Sequence, residues 1–466
     1  MQEPPAMSTM PIQTPRAVLA NPTALSVIGP AVTIGFFAAI FLWITFFVTH
    51  LPWVGMPPGL AIPVMLGVWL VAFGIGGTYI PRGRAAVGAL AGAISAALGL
   101  LIVLSLLKAQ QAADGSGSAG PQTPAYIAGF LCTGVVAGLV GVSLGGLAAS
   151  GRSVDASSGA WLGRFAWVTV LAAAPLLFVG GLVTSTQSGM AVPDWPTTFG
   201  NNMFLYPLGP QVDPAVYLEH SHRLFGTLLG CATIVLAGWG VTRGPTRFAR
   251  GLAVAALLGV VLQGVLGGVR VIENKTVLAM VHGVTAQLLF ALLVMLAVHL
   301  SKGYFNVLHE PVQGARRAKF FATLAMHSLI LQLLLGAAYR HLNRDGVRFP
   351  HILYTHAAFA FIVTFAAFMG AAVVWGLKDA KTGEALGPGN LLHRAAAWAA
   401  TSVIVQFVLG WFAFGFGGKQ LEAASVLQAL IRTAHQANGA IVIGAVTAMF
   451  VAARAAWRAS KDVAPA

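Results

Sequence analysis

The chain has 466 residues, 57% of them hydrophobic and 9% charged, with a mean hydropathy of +0.80 and a formal net charge of +14. This composition excludes a water-soluble globular domain and describes a chain solvated mostly by lipid. The positive charge does not call for nucleic acid, because its distribution is that of a topology signal.

A helix crosses the hydrocarbon with roughly 20 apolar residues. About twelve such spans are expected, giving an all-α integral membrane fold. In chain order they lie near residues 27–49, 58–80, 85–107, 125–148, 163–183, 217–241, 251–269, 276–299, 319–339, 351–375, 393–416 and 428–453. The polar, Pro-rich "MQEPPAMSTMPIQTPRAVLANP" ahead of them does not read as a cleavable signal, so the first span is expected to act as an uncleaved anchor. The first four spans are rich in Gly, Ala, Leu and Val and hold no internal His, Glu or Asp; the flexible "AQQAADGSGSAGPQTPA" divides them. Small polar residues in "SGRSVDASSGA" then mark a boundary. Residues 1–155 are accordingly expected to be a four-helix extension and 156–466 an eight-helix core.

With both termini placed in the cytoplasm, the inner segments hold most of the Lys and Arg, among them Arg16, Arg82, Arg84, Arg152, Arg247, Arg316, Arg317 and Arg458. The long outer loop 184–216 carries Asp194 and Asp213 and no Lys or Arg, so the positive-inside rule favours this orientation. The N-terminus is not an Arg- and Ser-rich transit segment, which points to a bacterial plasma membrane. Cys132 and Cys231 fall inside spans about five helices apart, and read as small packing residues, not a disulfide.

The last eight spans repeat in pairs. "LLFVGGLVT", "LQGVLGGVR", "LQLLLGAAYR" and "VQFVLGWFA" share a bulky-then-Gly pattern, and three carry Gln four residues before the Gly: Gln263 to Gly267, Gln332 to Gly336 and Gln406 to Gly410. Each is followed by an outer loop and a span opening on histidine: "EHSHRLFG", "MVHGVTAQ", "YTHAAFAF" and "TAHQANGA". The unit is a helix hairpin repeated four times, and its small residues allow close helix packing.

His222, His282, His356 and His435 therefore sit at similar depth, one per hairpin. Ionisable residues inside a membrane are costly and tend to be functional. Four separated helices supply two opposed pairs more easily than one closed four-ligand zinc site, and opposed imidazoles in an apolar slot suit bis-histidine haem iron. Hairpin order pairs His222 with His282 and His356 with His435. Arg223, Arg270, Arg340, Arg344, Arg348 and Arg432 lie on the outer side against the charge trend, where guanidinium groups can pair with haem propionates. Glu219 lies three residues before His222, on the same helical face, while His220 points away. That carboxylate is a candidate catalytic group that accepts a proton or stabilises positive charge; the alternative is that it complements a helix N-terminus.

These residues resemble the haem A synthases of cytochrome oxidase assembly. The resemblance covers about residues 160–466 and rests on the four-hairpin repeat, the SG…DWP pattern in "TSTQSGMAVPDWPTTFG", the E-x-x-H of Glu219 and His222, and the later histidines. It implies two pseudo-symmetric four-helix bundles, 156–300 for substrate and 301–466 for a resident haem b. His222 and His282 would hold the substrate haem O, His356 and His435 the haem b, and Glu219 would match the family's functional acid. The implied reaction oxidises the C8 methyl of haem O to the formyl group of haem A by successive hydroxylation. The implied partners are haem O synthase as donor, a redox partner such as a ferredoxin-like protein, cytochrome oxidase assembly factors, membrane lipid and a possible second copy of the chain. Two features depart from the family: the outer loop lacks the cysteine pair of many bacterial members, and the four N-terminal spans are extra. His351, five residues before His356, is an alternative ligand, and His327 and His341 have no place in the scheme. A di-haem b-type electron carrier and a haem transporter or assembly scaffold are the competing readings.

Overall fold

The computed structural model describes residues 22–80, 85–113, 122–149, 157–208, 212–342, 349–417 and 423–461. Thirteen α-helices account for nearly all of its regular structure, and twelve are long and apolar enough to cross a membrane. Helix is the expected state, because in hydrocarbon a segment must satisfy its own backbone hydrogen bonds. Several of the sequence-predicted spans run longer. The last, α13 (Val426–Lys461), continues into a basic inner end, where Lys319 and Lys461 place their ammonium groups 3.3 and 4.3 Å from the centre of the Trp457 ring.

The core is two rings of four helices. In the first, α5 (Ser158–Ser185), α6 (Pro214–Arg243), α7 (Arg247–Glu273) and α8 (Thr276–His299) pack in order, and α8 closes back on α5. In the second, α10 (Ala315–Leu342), α11 (Pro350–Trp375), α12 (Leu391–Phe416) and α13 do the same, and α13 closes on α10. The rings meet where α13 packs on α5 and α8, and α8 packs on α10. Exchanging α5 with α10 and α8 with α13 preserves these contacts, so the bundles are related by a pseudo-two-fold passing between α8 and α13. Two inner-face elements escaped the sequence reading: the short α9 (Lys302–His309) and a two-residue pairing of β1 (Val312–Gln313) with β2 (Lys378–Asp379). An eight-residue helix is too short to cross the bilayer, and two-residue strands carry no period to detect.

Local chemistry sets the helix starts. Asp213 caps α6 by accepting from the Ala215 and Val216 amides (2.8 and 3.3 Å), with Pro214 as first helical residue. Ser157, Thr246 and Asn390 cap α5, α7 and α12 in the same way. Cys132 and Cys231 are both free thiols. The boundary near 150–160 falls mostly on residues 150–156, outside the described residues, as do Arg16, Arg82, Arg84 and Arg152.

The N-terminal helices α1 (Pro22–Thr49), α2 (Pro58–Gly77), α3 (Ala85–Ala113) and α4 (Thr123–Ala148) have their own apolar core around Trp69 and Phe73. Trp69 Nε1 donates to the buried Ser95 hydroxyl at 2.7 Å. A glycine seam joins α3 to α4: side chains added at Gly88, Gly92, Gly134 or Gly138 would run into the facing helix backbone or packed side chains. The extension is fastened to the first bundle by aromatic contacts along α1, with Phe36 on Phe165 (5.3 Å), Trp43 on Phe225 (5.9 Å) and Phe47 on Tyr217 (5.8 Å). The Tyr217 hydroxyl donates to the Phe47 carbonyl at 3.0 Å. From α3, Ser105 donates to the Tyr206 carbonyl and accepts from the Leu208 amide, so the extension also grips the outer loop.

Replacing Gly138 by Leu forces α4 away from α3 and is expected to cost about 1–3 kcal/mol. A thermal melt in detergent should show a midpoint several degrees lower; an unchanged melt would refute close packing at this seam.

Candidate functional site

In the first ring the ionisable side chains gather at one end, under the loop that joins α5 to α6. Asp194 organises this loop: its carboxylate accepts from Thr197 Oγ1 (2.5 Å) and from the Phe199 and Gly200 amides (2.7 and 2.8 Å). Gly200 has a φ of +74°, a left-handed conformation that glycine adopts without strain. The next residue, Trp195, lies flat against Gly268 of α7, and the Arg270 guanidinium lies where a side chain on Gly189 would be. The SG…DWP pattern is therefore a packing code that ties the outer ends of α5, α6 and α7 together.

Beneath the loop, Glu219 and Arg223 form a latch. Glu219, 3% exposed, accepts from the Val192 amide (2.9 Å) and from Arg223 Nη2 (3.1 Å). Arg223 also donates to the carbonyls of Val192 (2.9 Å), Asp194 (2.7 Å) and Thr197 (3.0 Å). His220, wholly buried on the opposite face of α6, contacts Thr198 Oγ1 through Nδ1 (3.2 Å) and packs against the Tyr206 ring. Glu219, His220 and Arg223 thus all hold the loop, while His222 faces the bundle interior.

His222 on α6 and His282 on α8 oppose one another with ring centres 6.5 Å apart and planes at 82°. In the second ring, His356 on α11 and His435 on α13 repeat this at 6.3 Å and 85°. An imidazole–metal bond of about 2 Å, added to about 1.1 Å from nitrogen to ring centre, puts two imidazoles sharing one metal about 6 Å apart. Edge-to-face aromatic pairs span the same range, so distance alone does not separate ligation from packing. The four rings do share one setting beside the repeat glycines. A Cβ built on Gly180, Gly267, Gly336 or Gly410 would stand 2.9, 3.2, 2.9 or 3.3 Å from Cε1 of His222, His282, His356 or His435, respectively. Every ring has a glycine-lined recess of the same shape behind it, which packing of four unrelated histidines does not require. Among the described residues no three His, Cys, Asp or Glu form a group that could hold a metal ion; the four histidines stand as two opposed pairs.

The other sequence-predicted residues are distributed as follows. His356 faces His435, whereas His351, a turn earlier, is exposed and packs on Phe349. His327 is exposed, its Nδ1 against the Thr323 carbonyl (2.8 Å). Arg340 donates to the Thr184 carbonyl and Arg432 Nε to the Gly417 carbonyl. With Arg223 and Arg270 they ring the outer ends of the bundles. Arg344 and Arg348 lie outside the described residues. The sequence reading gave the repeat glycines close helix packing and the glutamines no role; the constant spacing from Gln263 to Gly267, Gln332 to Gly336 and Gln406 to Gly410, each ahead of a histidine-bearing span, was the available signal.

Residues 163–352 match the family described as cytochrome oxidase assembly protein. Three curated relatives, all haem A synthases, are similar to this chain. That of Alkalihalophilus pseudofirmus is 28% identical over 179 residues, 37% of this chain and 58% of the relative. That of Halalkalibacterium halodurans is 32% identical over 126 residues, 26% and 41%. That of Shouchella clausii is 27% identical over 189 residues, 39% and 60%. The alignments span less than two thirds of each relative. The family segment holds Glu219, His222 and His282, while His356 and His435 lie beyond it and are tied to it by the internal repeat.

Arg223→Lys keeps the charge but has only three donors and cannot reach the four acceptors that hold the loop. The expected outcome is rapid chymotryptic cleavage near Phe204, Leu205 and Tyr206; wild-type resistance would refute the latch. For Asp194 burial acts to raise the pKa, but the hydrogen bonds from Thr197, Gly200 and Phe199 outweigh it and hold the carboxyl below its ordinary value of 3.8. A depressed carboxyl stabilises fully above its unfolded value, and that stability is lost as pH falls through the folded one. Peptic cleavage of this loop, normalised to an unstructured reference peptide cleaved alongside, should therefore rise steeply only below about pH 4, and Asp194→Asn should remove the pH dependence of that ratio.

Proposed function

We propose that this chain is a haem A synthase: a multi-pass membrane enzyme that oxidises the C8 methyl of haem O to the formyl group of haem A by successive hydroxylation. The observation that carries the reading is the doubled, glycine-backed imidazole pair, with a buried carboxylate one turn from a ligand in the first pair alone. The similarity to haem A synthases over 163–352 supports it.

In this reading haem O is the substrate held by His222 and His282, and His356 and His435 hold a resident haem b. The resident group supplies one-electron transfer when bound. The protein's own part is positional. Glu219, fixed by Arg223 and the Val192 amide, presents a carboxylate on the His222 side of the substrate, where it can hold a proton or stabilise developing positive charge. The latched loop covers this end of the bundle and excludes water. Arg270 at the first pair, and Arg340 and Arg432 at the second, would meet the propionates in this reading. Haem O synthase would deliver substrate, a redox partner would supply electrons, and cytochrome oxidase assembly would consume the product. The membrane is a bacterial plasma membrane with both termini cytoplasmic.

The near-identity of the two pairs favours one alternative, a di-haem b-type electron carrier, which needs no Glu219. Porphyrins extracted with acid solvent after co-expression with a source of haem O, read by mass spectrometry, separate the two. Haem A or its hydroxylated precursor is expected from wild type, and Glu219→Ala should reduce it by about 100-fold or more with haem retained. Haem B alone, unaffected by Glu219→Ala, would refute the synthase and leave the carrier.

A further inference from the structure

The end of the second bundle away from the histidines carries a cluster of cations that the haem reading leaves unused. Lys319, near the start of α10, and Lys461, the last residue of α13, place their ammonium groups 3.3 and 4.3 Å from the centre of the same Trp457 ring. Arg454, nearly one turn before Trp457, holds its guanidinium 5.1 Å from the centre of the Phe450 ring. Arg454, Lys461 and Arg316 all lie close enough to repel the Lys319 ammonium. Among the described residues the ion pairs are Arg223–Glu219 and Lys275–Glu273, and none of these four cations has a side-chain hydrogen bond.

A bias of Lys and Arg toward one side of the membrane accounts for cations at this end. It does not account for two ammonium groups on one indole. Each is attracted by the ring, but like charges this close repel one another, and an anion between them turns that repulsion into attraction. The depth is that of a lipid headgroup. Arg454 lies 28 residues beyond Val426, the first residue of α13, or about 42 Å along a helix. A bilayer with its headgroups is about 40–45 Å thick. Apolar surface continues from the cluster toward the bilayer centre: Phe320, the residue after Lys319, is 62% exposed, and Leu324, one turn on, is 41% exposed.

We propose that Arg316, Lys319, Arg454 and Lys461 form a binding site for the phosphate of an anionic phospholipid, with an acyl chain lying along Phe320 and Leu324. The guanidinium groups pair with phosphate oxygens in a planar fork, and the ammonium groups add point charges that Trp457 keeps at the headgroup level. Basic pockets between helices at this level of a membrane take such headgroups. Two of the cations stand on α10 and two on α13, which pack together. A headgroup held by all four therefore fastens this helix pair at the end opposite His435. Free phosphate meets the same charges but gains nothing from the apolar strip, so the site selects lipid.

The test uses the purified full-length protein in neutral detergent with phosphatidylglycerol, phosphatidylcholine or inorganic phosphate added. Native mass spectrometry reads bound lipid, and circular dichroism reads the thermal midpoint. Wild type is expected to retain phosphatidylglycerol and to melt several degrees higher with it, and to do neither with phosphatidylcholine or inorganic phosphate. Lys319→Gln combined with Arg454→Gln should lower retention about twentyfold. Lys461→Gln alone, at an exposed helix end where folding is not at stake, should lower it about fivefold. Arg243→Gln combined with Arg247→Gln removes the same charge from the first bundle and should change nothing. Equal loss from both double variants, or retention unchanged by Lys461→Gln and by the Lys319 and Arg454 pair, overturns the proposal. Stabilisation by inorganic phosphate equal to that by phosphatidylglycerol leaves a plain anion site and overturns it as well.

Discussion

Everything at the outer end of this protein follows from placing four imidazoles in hydrocarbon. A polar ring there must either find a partner or do work, and each ring also needs room. The room comes from a glycine on the preceding helix, which brings the hairpin backbones close and leaves the ring an edge-on recess. The hairpin is thus the smallest unit that can hold one of these rings. Two hairpins make a pair, and two pairs related by the pseudo-two-fold between α8 and α13 make the core. Close helix contact and ligand placement are one constraint, which is why bulky-then-Gly and the histidine recur together.

The first pair differs from the second in what lies above it. Glu219 is not a free carboxylate in a pocket; it belongs to a latch in which Arg223 gathers three loop carbonyls and the Val192 amide meets the carboxylate from the loop side. A carboxylate held on two sides cannot drift from the His222 ring one turn away. The extra N-terminal helices reach the same place from outside. Phe47 stacks on Tyr217 and accepts from its hydroxyl two residues before Glu219, and Ser105 pins the loop at Tyr206 and Leu208. The extension therefore backs the first bundle.

Much of this was legible in the sequence because the strongest signals are periodic. Spans appear as long apolar runs, and the four histidines emerge once the hairpins are aligned. Even the partners, His222 with His282 and His356 with His435, follow from hairpin order. What could not be read depends on where the chain returns in space. Arg223 has partners 26 to 31 residues back, all of them backbone carbonyls that carry no residue-type signature, so it read as an anion-binding group. Trp195 on Gly268 and Arg270 against Gly189 are likewise long-range fits in which one member has no side chain to announce it. The docking of α1 on α5 and α6 is aromatic packing that composition alone cannot place.

The glutamines mark the boundary between these two kinds of information. Gln263, Gln332 and Gln406 share one offset from a glycine and look equivalent in the sequence, yet the amides of two reach a ring and that of the third bonds main chain. The main chain at this position is the steadier partner: it meets the His222 ring from Leu176 and the His356 ring from Gln332. A backbone carbonyl is offered whatever side chain the position carries. Leucine can therefore stand in the first hairpin where the other three carry glutamine, and the ring still finds a partner there.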